Sequence, residues 1–175
     1  SDVYKRQGIN KDRKKLEADM RQQAWQALDE LSEQHEYLPD TLCLFDERWH
    51  QGIVGIIASR VKDKYHRPTI AFAQVDDGQE IKGSARSIKG FHIRDALDIV
   101  ATKNPGLIDK FGGHAMAAGL SLKKQNFEFF KEAFLREANK LLNEELLESK
   151  ILTDGCVESK WLTLDLSLIH ISEPT

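Results

Sequence analysis

The chain has 175 residues, of which 41% are hydrophobic and 30% are charged, and its formal net charge is −3. This composition suffices for the core of one domain, and it contains no run of about 18 apolar residues, so we expect no membrane span. The two cysteines, Cys43 and Cys156, form no CxxC motif, which argues against a disulfide framework or a zinc site and favours a cytoplasmic protein.

The first predicted element is a long amphipathic helix from Asn10 to Glu36. Its apolar residues recur at spacings of three and four, as one buried helix face requires. They are Leu16, Met20, Ala24, Leu28 and Leu31. The apolar run TLCLF (41–45) then predicts a buried strand. Residues 52–65 return to helical spacing, with Ile53, Ile57 and Val61 on one face.

Two further strands, at 69–75 and 80–88, are predicted to form a hairpin around the turn residues 76–78. A helix at 93–101, a strand at 117–122 and a helix at 125–147 follow. The last helix should turn five residues inward: Phe127, Phe130, Phe134, Leu141 and Leu142. The order predicts an α/β fold with a mixed β-sheet flanked by helices and preceded by a long linker helix.

The first motif that could carry chemistry is WHQGIVGIIASR, at 49–60. A glycine at a strand-to-helix junction leaves backbone N–H groups free at the helix start, where a phosphate can bind. His50 and Gln51 could add donors. The structural alternative is that Gly52 and Gly55 let this helix approach the sheet closely.

The second motif is GSARS, at 83–87. In a strand, Ser84, Arg86 and Ile88 face one side, and Gly83, Ala85 and Ser87 face the other. An arginine flanked by hydroxyl groups suits phosphate recognition, because the guanidinium presents a planar fork of donors. The alternative is an exposed strand edge in which Arg86 makes a salt bridge.

The third motif is FGGHAMAAG, at 111–119. Paired glycines permit positive φ and let a ligand approach the backbone directly. His114 could donate to a phosphate or stack on a base, although a histidine is also often structural. Charge is uneven around these motifs. From Arg60 to Arg94 eight Lys/Arg stand against four Asp/Glu, which fits either a polyanion-binding face or an ordinary solvated surface.

In this order and at these separations, the three motifs resemble the DHHA1 domain family, in the form found in RecJ-type exonucleases specific for single-stranded DNA. The resemblance covers about Asn10 to Leu166. It implies that single-stranded DNA is the partner, bound through its sugar-phosphate backbone. The implied contacts are Ser84, Arg86, Ser87, Gly112, Gly113 and His114, with His50 a weaker candidate.

The resemblance also implies what the chain lacks. The family cuts DNA with two divalent metal ions, Mn or Mg, held in a DHH domain named for its Asp-His-His triplet. No such triplet occurs here, and neither His50 nor His114 has a pair of aspartates at ligand spacing. We therefore expect no catalytic residue, metal or other cofactor in this chain. The metal would belong to the missing DHH domain, and the chain alone would be inactive.

The resemblance predicts five segments. These are a non-native terminus at 1–9, the linker helix at 10–38, the DHHA1 nucleic-acid-binding domain at 39–148, the start of an OB-type domain at 149–166, and a second non-native terminus at 167–175. The two ends resemble translated sequencing-adapter read-through, and variable terminal sequence is the alternative.

Two other functions compete with the exonuclease interpretation. One is a different DHH/DHHA1 phosphodiesterase that acts on short RNA or cyclic dinucleotides. The other is a non-catalytic interaction module whose glycines serve packing only. The acidic segment 127–148, with six Asp/Glu against three Lys/Arg, would then be its partner surface. Binding of a labelled oligonucleotide would separate this module from either enzyme.

Overall fold

The computed structural model describes residues 39–147 and, towards the N-terminus, residues 11–12, 14–15, 18–20, 22–26 and 29. These N-terminal residues are helical and are called α1. They include Met20 and Ala24 of the predicted apolar face, and Ala24 is buried. The predicted segments 1–9, 149–166 and 167–175 lie outside the described residues. No helix in the described part of the chain is long and apolar enough to cross a membrane.

Within residues 39–147, five strands and four further helices follow α1. The strands are β1 (Leu42–Phe45), β2 (Thr69–Gln74), β3 (Glu80–Arg86), β4 (Lys110–Gly113) and β5 (Ala117–Lys123). The helices are α2 (Gln51–Tyr65), α3 (Ile93–Lys103), α4 (Phe127–Leu141) and α5 (Glu144–Leu147), with a 3-10 turn at Lys124–Asn126.

The strands form one sheet in the order β1-β2-β3-β5-β4. β1 and β2 are parallel and are joined by α2 as a crossover, while all other neighbours are antiparallel. The hairpin between β2 and β3 closes at Gly78, whose φ of 76° is easily reached only by glycine. The mixed sheet flanked by helices is the fold class expected from the sequence.

Helices cover the two faces of this sheet. α2 packs on one face through Ile53, Ile57 and Val61, which are buried as their spacing predicted. The small side chains of Ala71 and Ala73 on β2 belong to the same cluster and let the helix lie close. α3 and α4 cover the other face, and there the largest cluster includes the rings of Phe72 and Phe130, packed edge to face at 5.7 Å.

The structure corrects three details of the predicted elements. The glycine-rich stretch at Lys110–Gly113 is a strand, β4, which the sequence pattern did not predict. β3 ends at Arg86 rather than at residue 88. The last helix is interrupted after Leu141, and that side chain is 45% exposed instead of facing inward. The sequence pattern did not indicate β4, because its glycines lower strand propensity and provide no alternation of apolar and polar residues.

Candidate nucleic-acid interface

A groove opens beside α2, on the side of the sheet that this helix covers only in part. α2 packs against β2 and β3, and the same face continues across β5 and β4. The groove has a volume of about 410 Å³, and its lining includes residues of α2, β3, β5 and β4. The polar and bare positions in it are Gln51, Lys82, Gly83, Ser84, Lys110, Gly119 and Ser121.

The strand register arranges this surface in cross-strand rows. Lys82 lies opposite Ser121, which lies opposite Lys110. The next row is Ser84, Gly119 and Gly112, and in the third row Arg86 lies opposite Ala117. Successive rows are two residues, or about 7 Å, apart along the strands. We call this surface the open face. It has cations at its two ends, and glycine backbone and a hydroxyl group between them.

Gly112 and Gly119 form a bare patch in the middle row that the fold does not require. No described atom lies within 4 Å of a Cβ built at Gly112, and a Cβ at Gly119 would only come within 3.9 Å of the Gly83 carbonyl oxygen. Neither residue has a positive φ. Since neither packing nor backbone conformation demands glycine here, the missing side chains leave space for a group from outside the chain.

Gly113 differs from these two residues, because the fold does require glycine at this position. Its φ is +142°, and a Cβ would lie 2.5 Å from the Ala118 Cα and would also collide with the Ala117 carbonyl oxygen. Its role is therefore to let β4 and β5 approach each other at the end of the pair. The fold thus requires glycine at position 113 but not at position 112, although the two residues are adjacent in the third motif.

The hydroxyl groups of the predicted contacts also differ. Ser84 and Ser121 line the groove, and within the described residues their hydroxyl groups make no hydrogen bond, although Ser121 is only 6% exposed. Ser87 is fully buried, and its hydroxyl donates to the Phe91 carbonyl oxygen at 2.6 Å. The Ser87 hydroxyl is therefore committed inside the core and does not line the groove. The two-residue period already placed it on the opposite side from Ser84.

Arg86 extends from the end of β3 toward α2. Its Nη1 donates to the Ala85 carbonyl oxygen at 2.9 Å, and a Cβ at Gly55 would be 3.2 Å from Nη2. Gly55 therefore provides the room in which the guanidinium lies. Across the described ranges Arg86 makes no ion pair, so the salt bridge considered from the sequence is not observed. Its remaining donors can reach a ligand.

The two predicted histidine contacts occupy different positions. His50 is the N-cap of α2, and its Nδ1 accepts from the Gly52 N–H at 3.0 Å. That nitrogen is therefore committed to the helix. His114 is exposed just after β4, where its backbone N–H donates to the Ala117 carbonyl oxygen. Because Ala117 is paired with Arg86, His114 lies at the Arg86 end of the open face.

Nothing in the described part of the chain fits a metal centre, since no three His, Cys, Asp or Glu side chains cluster there. Cys43 is buried, and burial raises the pKa of its thiol to about 12, so it remains protonated inside the core. The residues of the open face offer hydrogen-bond donors, cations and bare backbone, and this combination suits the binding of a phosphodiester.

Sequence reasoning missed four residues of the open face: Lys82, Lys110, Gly119 and Ser121. Lys82 could have been found, because it precedes Ser84 by two residues in the predicted strand and must share its face. Lys110 and Ser121 could not be assigned, since β4 was not recognised and its pairing with β5 was unknown. Gly119 belongs to the third motif, but no local signal distinguishes it as a contact.

Comparison with known proteins identifies close relatives. Residues 35–144 match the DHHA1 domain family. The single-stranded-DNA-specific exonuclease RecJ of Escherichia coli (strain K12) is 42% identical over 159 residues, which are 91% of this chain and 27% of that protein. The chain thus spans about a quarter of the length of this relative.

Solved structures agree with the sequence match. Crystal structures of RecJ from Thermus thermophilus, one in complex with Mg²⁺ and one with Mn²⁺, superpose with a TM-score of 0.62 at 28% identity. The superpositions cover 73% and 74% of this chain, and 19% and 18% of the RecJ chains. A divalent metal therefore occurs in solved structures of these relatives.

Proposed function

The chain belongs to the DHHA1 domain family, and from this premise we propose that it is the substrate-binding part of a RecJ-type exonuclease. The open face binds the sugar-phosphate backbone of single-stranded DNA. A separate DHH domain, carrying Mn²⁺ or Mg²⁺, hydrolyses the bound strand in the 5′-to-3′ direction. The relative from E. coli is named a single-stranded-DNA-specific exonuclease, which supports this choice of substrate.

The proposal is carried by two features of one surface: side-chain hydrogen-bond donors that are available to a ligand, and glycines that neither packing nor backbone conformation requires. The Ser84 hydroxyl makes no hydrogen bond in the described residues. Arg86 donates one hydrogen bond, to the Ala85 carbonyl oxygen, and its other N–H groups remain available to a ligand. Gly112 and Gly119 expose backbone that no internal contact requires. A phosphodiester strand satisfies these features together, because its oxygens accept hydrogen bonds and its sugars need close approach.

The predicted contacts in this proposal are Ser84, Arg86, Gly112 and His114. Gly113 contributes by shaping the backbone, and His50 contributes by capping α2. The proposed contacts go to phosphate and sugar oxygens, which carry no base-sequence information directly. Binding should therefore depend little on base sequence and strongly on salt.

The test is a fluorescence anisotropy titration of the chain with fluorescein-labelled single-stranded DNA of mixed sequence. Each phosphate neutralised on a single strand adds roughly −0.7 to the slope of log affinity against log salt. We expect a measurable negative slope and similar affinities for unrelated sequences. Competition by an unlabelled cyclic dinucleotide that exceeds competition by the oligonucleotide would support the other phosphodiesterase class. Failure to bind any nucleic acid would support the interaction module.

A further inference from the structure

The row formed by Lys82, Ser121 and Lys110 lies at the end of the open face remote from Arg86. Directly opposed residues of neighbouring strands share a sheet face, with Cβ atoms about 5 Å apart. The two lysines therefore flank the serine across three strands. All three residues line the groove.

The side chains of this row have unused binding capacity. Both lysines are exposed, and neither makes an ion pair within the ranges that the structure describes. Ser121 is almost completely buried, yet its hydroxyl makes no hydrogen bond to another described residue. The hydroxyl is not a buried atom without a partner, so it is open to the groove that the residue lines. A ligand oxygen seated between the lysines would satisfy it.

The charge along β3 favours an anionic ligand at this row. The nearest acidic side chain on the same side of the strand is that of Glu80, one row further on, and it lies opposite Lys123. Within the groove lining there is no carboxylate. A negatively charged group can therefore approach the row without facing an acidic neighbour inside the groove.

The distance along β3 assigns this row to a different phosphate from the one at Arg86. Lys82 and Arg86 are four residues apart, which is about 13 Å in a strand. The bond from Nη1 to the Ala85 carbonyl oxygen holds the guanidinium at its own end of β3. With the guanidinium held there, the two ends of the open face suit different phosphates of one DNA strand.

We propose that Lys82, Ser121 and Lys110 form a second phosphate subsite, which binds another phosphate of the same strand that Arg86 holds. This inference rests on the proposed function. The glycine patch of Gly112 and Gly119 lies between the two subsites and accommodates the sugars that connect the phosphates. Arg86 lines a neighbouring cavity beside Gly55 and not the groove itself, so it is the open face as a whole that selects a strand with several phosphates over a mononucleotide.

Three variants of the chain with the same loss of one charge test the subsite: Lys82→Gln, Lys110→Gln and the control Lys131→Gln. Lys131 is exposed on α4, which covers the opposite face of the sheet. Affinity for a labelled single-stranded oligonucleotide is measured at several salt concentrations. We expect each groove variant to weaken binding about two- to fivefold and to reduce the salt slope by roughly 0.7. The control should change neither quantity.

A double-mutant cycle between Arg86→Ala and Lys82→Gln tests whether the two residues bind different phosphates or the same one. If the residues hold different phosphates, their effects on affinity should multiply to within about twofold, as independent sites do. A much smaller combined effect would mean that they hold the same phosphate and would overturn the second subsite. Groove variants that behave like Lys131→Gln, while Arg86→Ala still weakens binding, would also overturn it and leave the proposed function intact. If Arg86→Ala has no effect either, the proposed function itself fails.

Discussion

Replacing Gly119 by alanine separates binding from stability, because the two should change in opposite directions. A Cβ at this position would be 3.9 Å from the nearest neighbouring atom, the Gly83 carbonyl oxygen, which is ordinary van der Waals contact. The backbone is not in the left-handed region. The added methyl group therefore strains nothing inside the described part of the chain and projects into the groove.

The expected magnitudes follow from this geometry. Gly→Ala at a compatible backbone position stabilises a protein by roughly 0.4–1 kcal/mol, since it lowers the entropy of the unfolded chain. A methyl group forced into a well-packed contact costs roughly 1–3 kcal/mol. If the strand lies directly on this backbone, affinity should fall by about 5- to 150-fold, at 1.4 kcal/mol for each factor of ten.

The assay combines a thermal unfolding midpoint with an oligonucleotide titration of the same preparation. We expect Gly119→Ala to raise or preserve the midpoint while it weakens binding. Gly113→Ala is the contrasting variant, because its strained φ and close contacts with Ala118 should lower the midpoint. If Gly119→Ala binds DNA as tightly as the unmodified chain, the DNA strand does not lie on the patch formed by Gly112 and Gly119.

Four further outcomes are expected. Arg86→Ala should weaken oligonucleotide binding by roughly 1.5–3 kcal/mol through loss of a charge-assisted contact, and Arg86→Lys should restore only part of it, as measured by titration. Ser87→Ala should lower the thermal midpoint by removing the buried bond to Phe91, with unchanged affinity per folded molecule. The hydrogen bond from Lys103 lowers the pKa of Glu137 from 4.5 to about 2. The ionised carboxylate therefore stabilises the fold above pH 4.5, and this stabilisation is lost as pH falls toward 2. The thermal midpoints of the chain and of Glu137→Gln should converge in acid. Incubation of the chain with 5′-labelled single-stranded DNA and Mn²⁺ should leave the label at full length, and shortening abolished by EDTA would contradict the placement of hydrolysis in another domain.

The sequence by itself determined the helices and most strands, because their signals are local. The spacing of Ile53, Ile57 and Val61 specified the buried face of α2. The two-residue period of β3 separated Ser84 and Arg86 from Gly83 and Ala85, as the burial pattern confirms. The order of the three glycine-containing motifs was sufficient to indicate the family.

Only the tertiary structure decided which of those residues can reach a ligand. Strand pairing is a long-range choice, and it alone brings Lys110 beside Ser121 and Lys82. The two-residue period separates Ser84 from Ser87, but only the structure shows that the Ser87 hydroxyl is buried and donates to the Phe91 carbonyl oxygen. Gly112 and Gly113 are adjacent, yet only Gly113 meets the neighbouring strand's backbone where a side chain would be. Such differences arise from atoms distant in sequence, which local patterns do not encode.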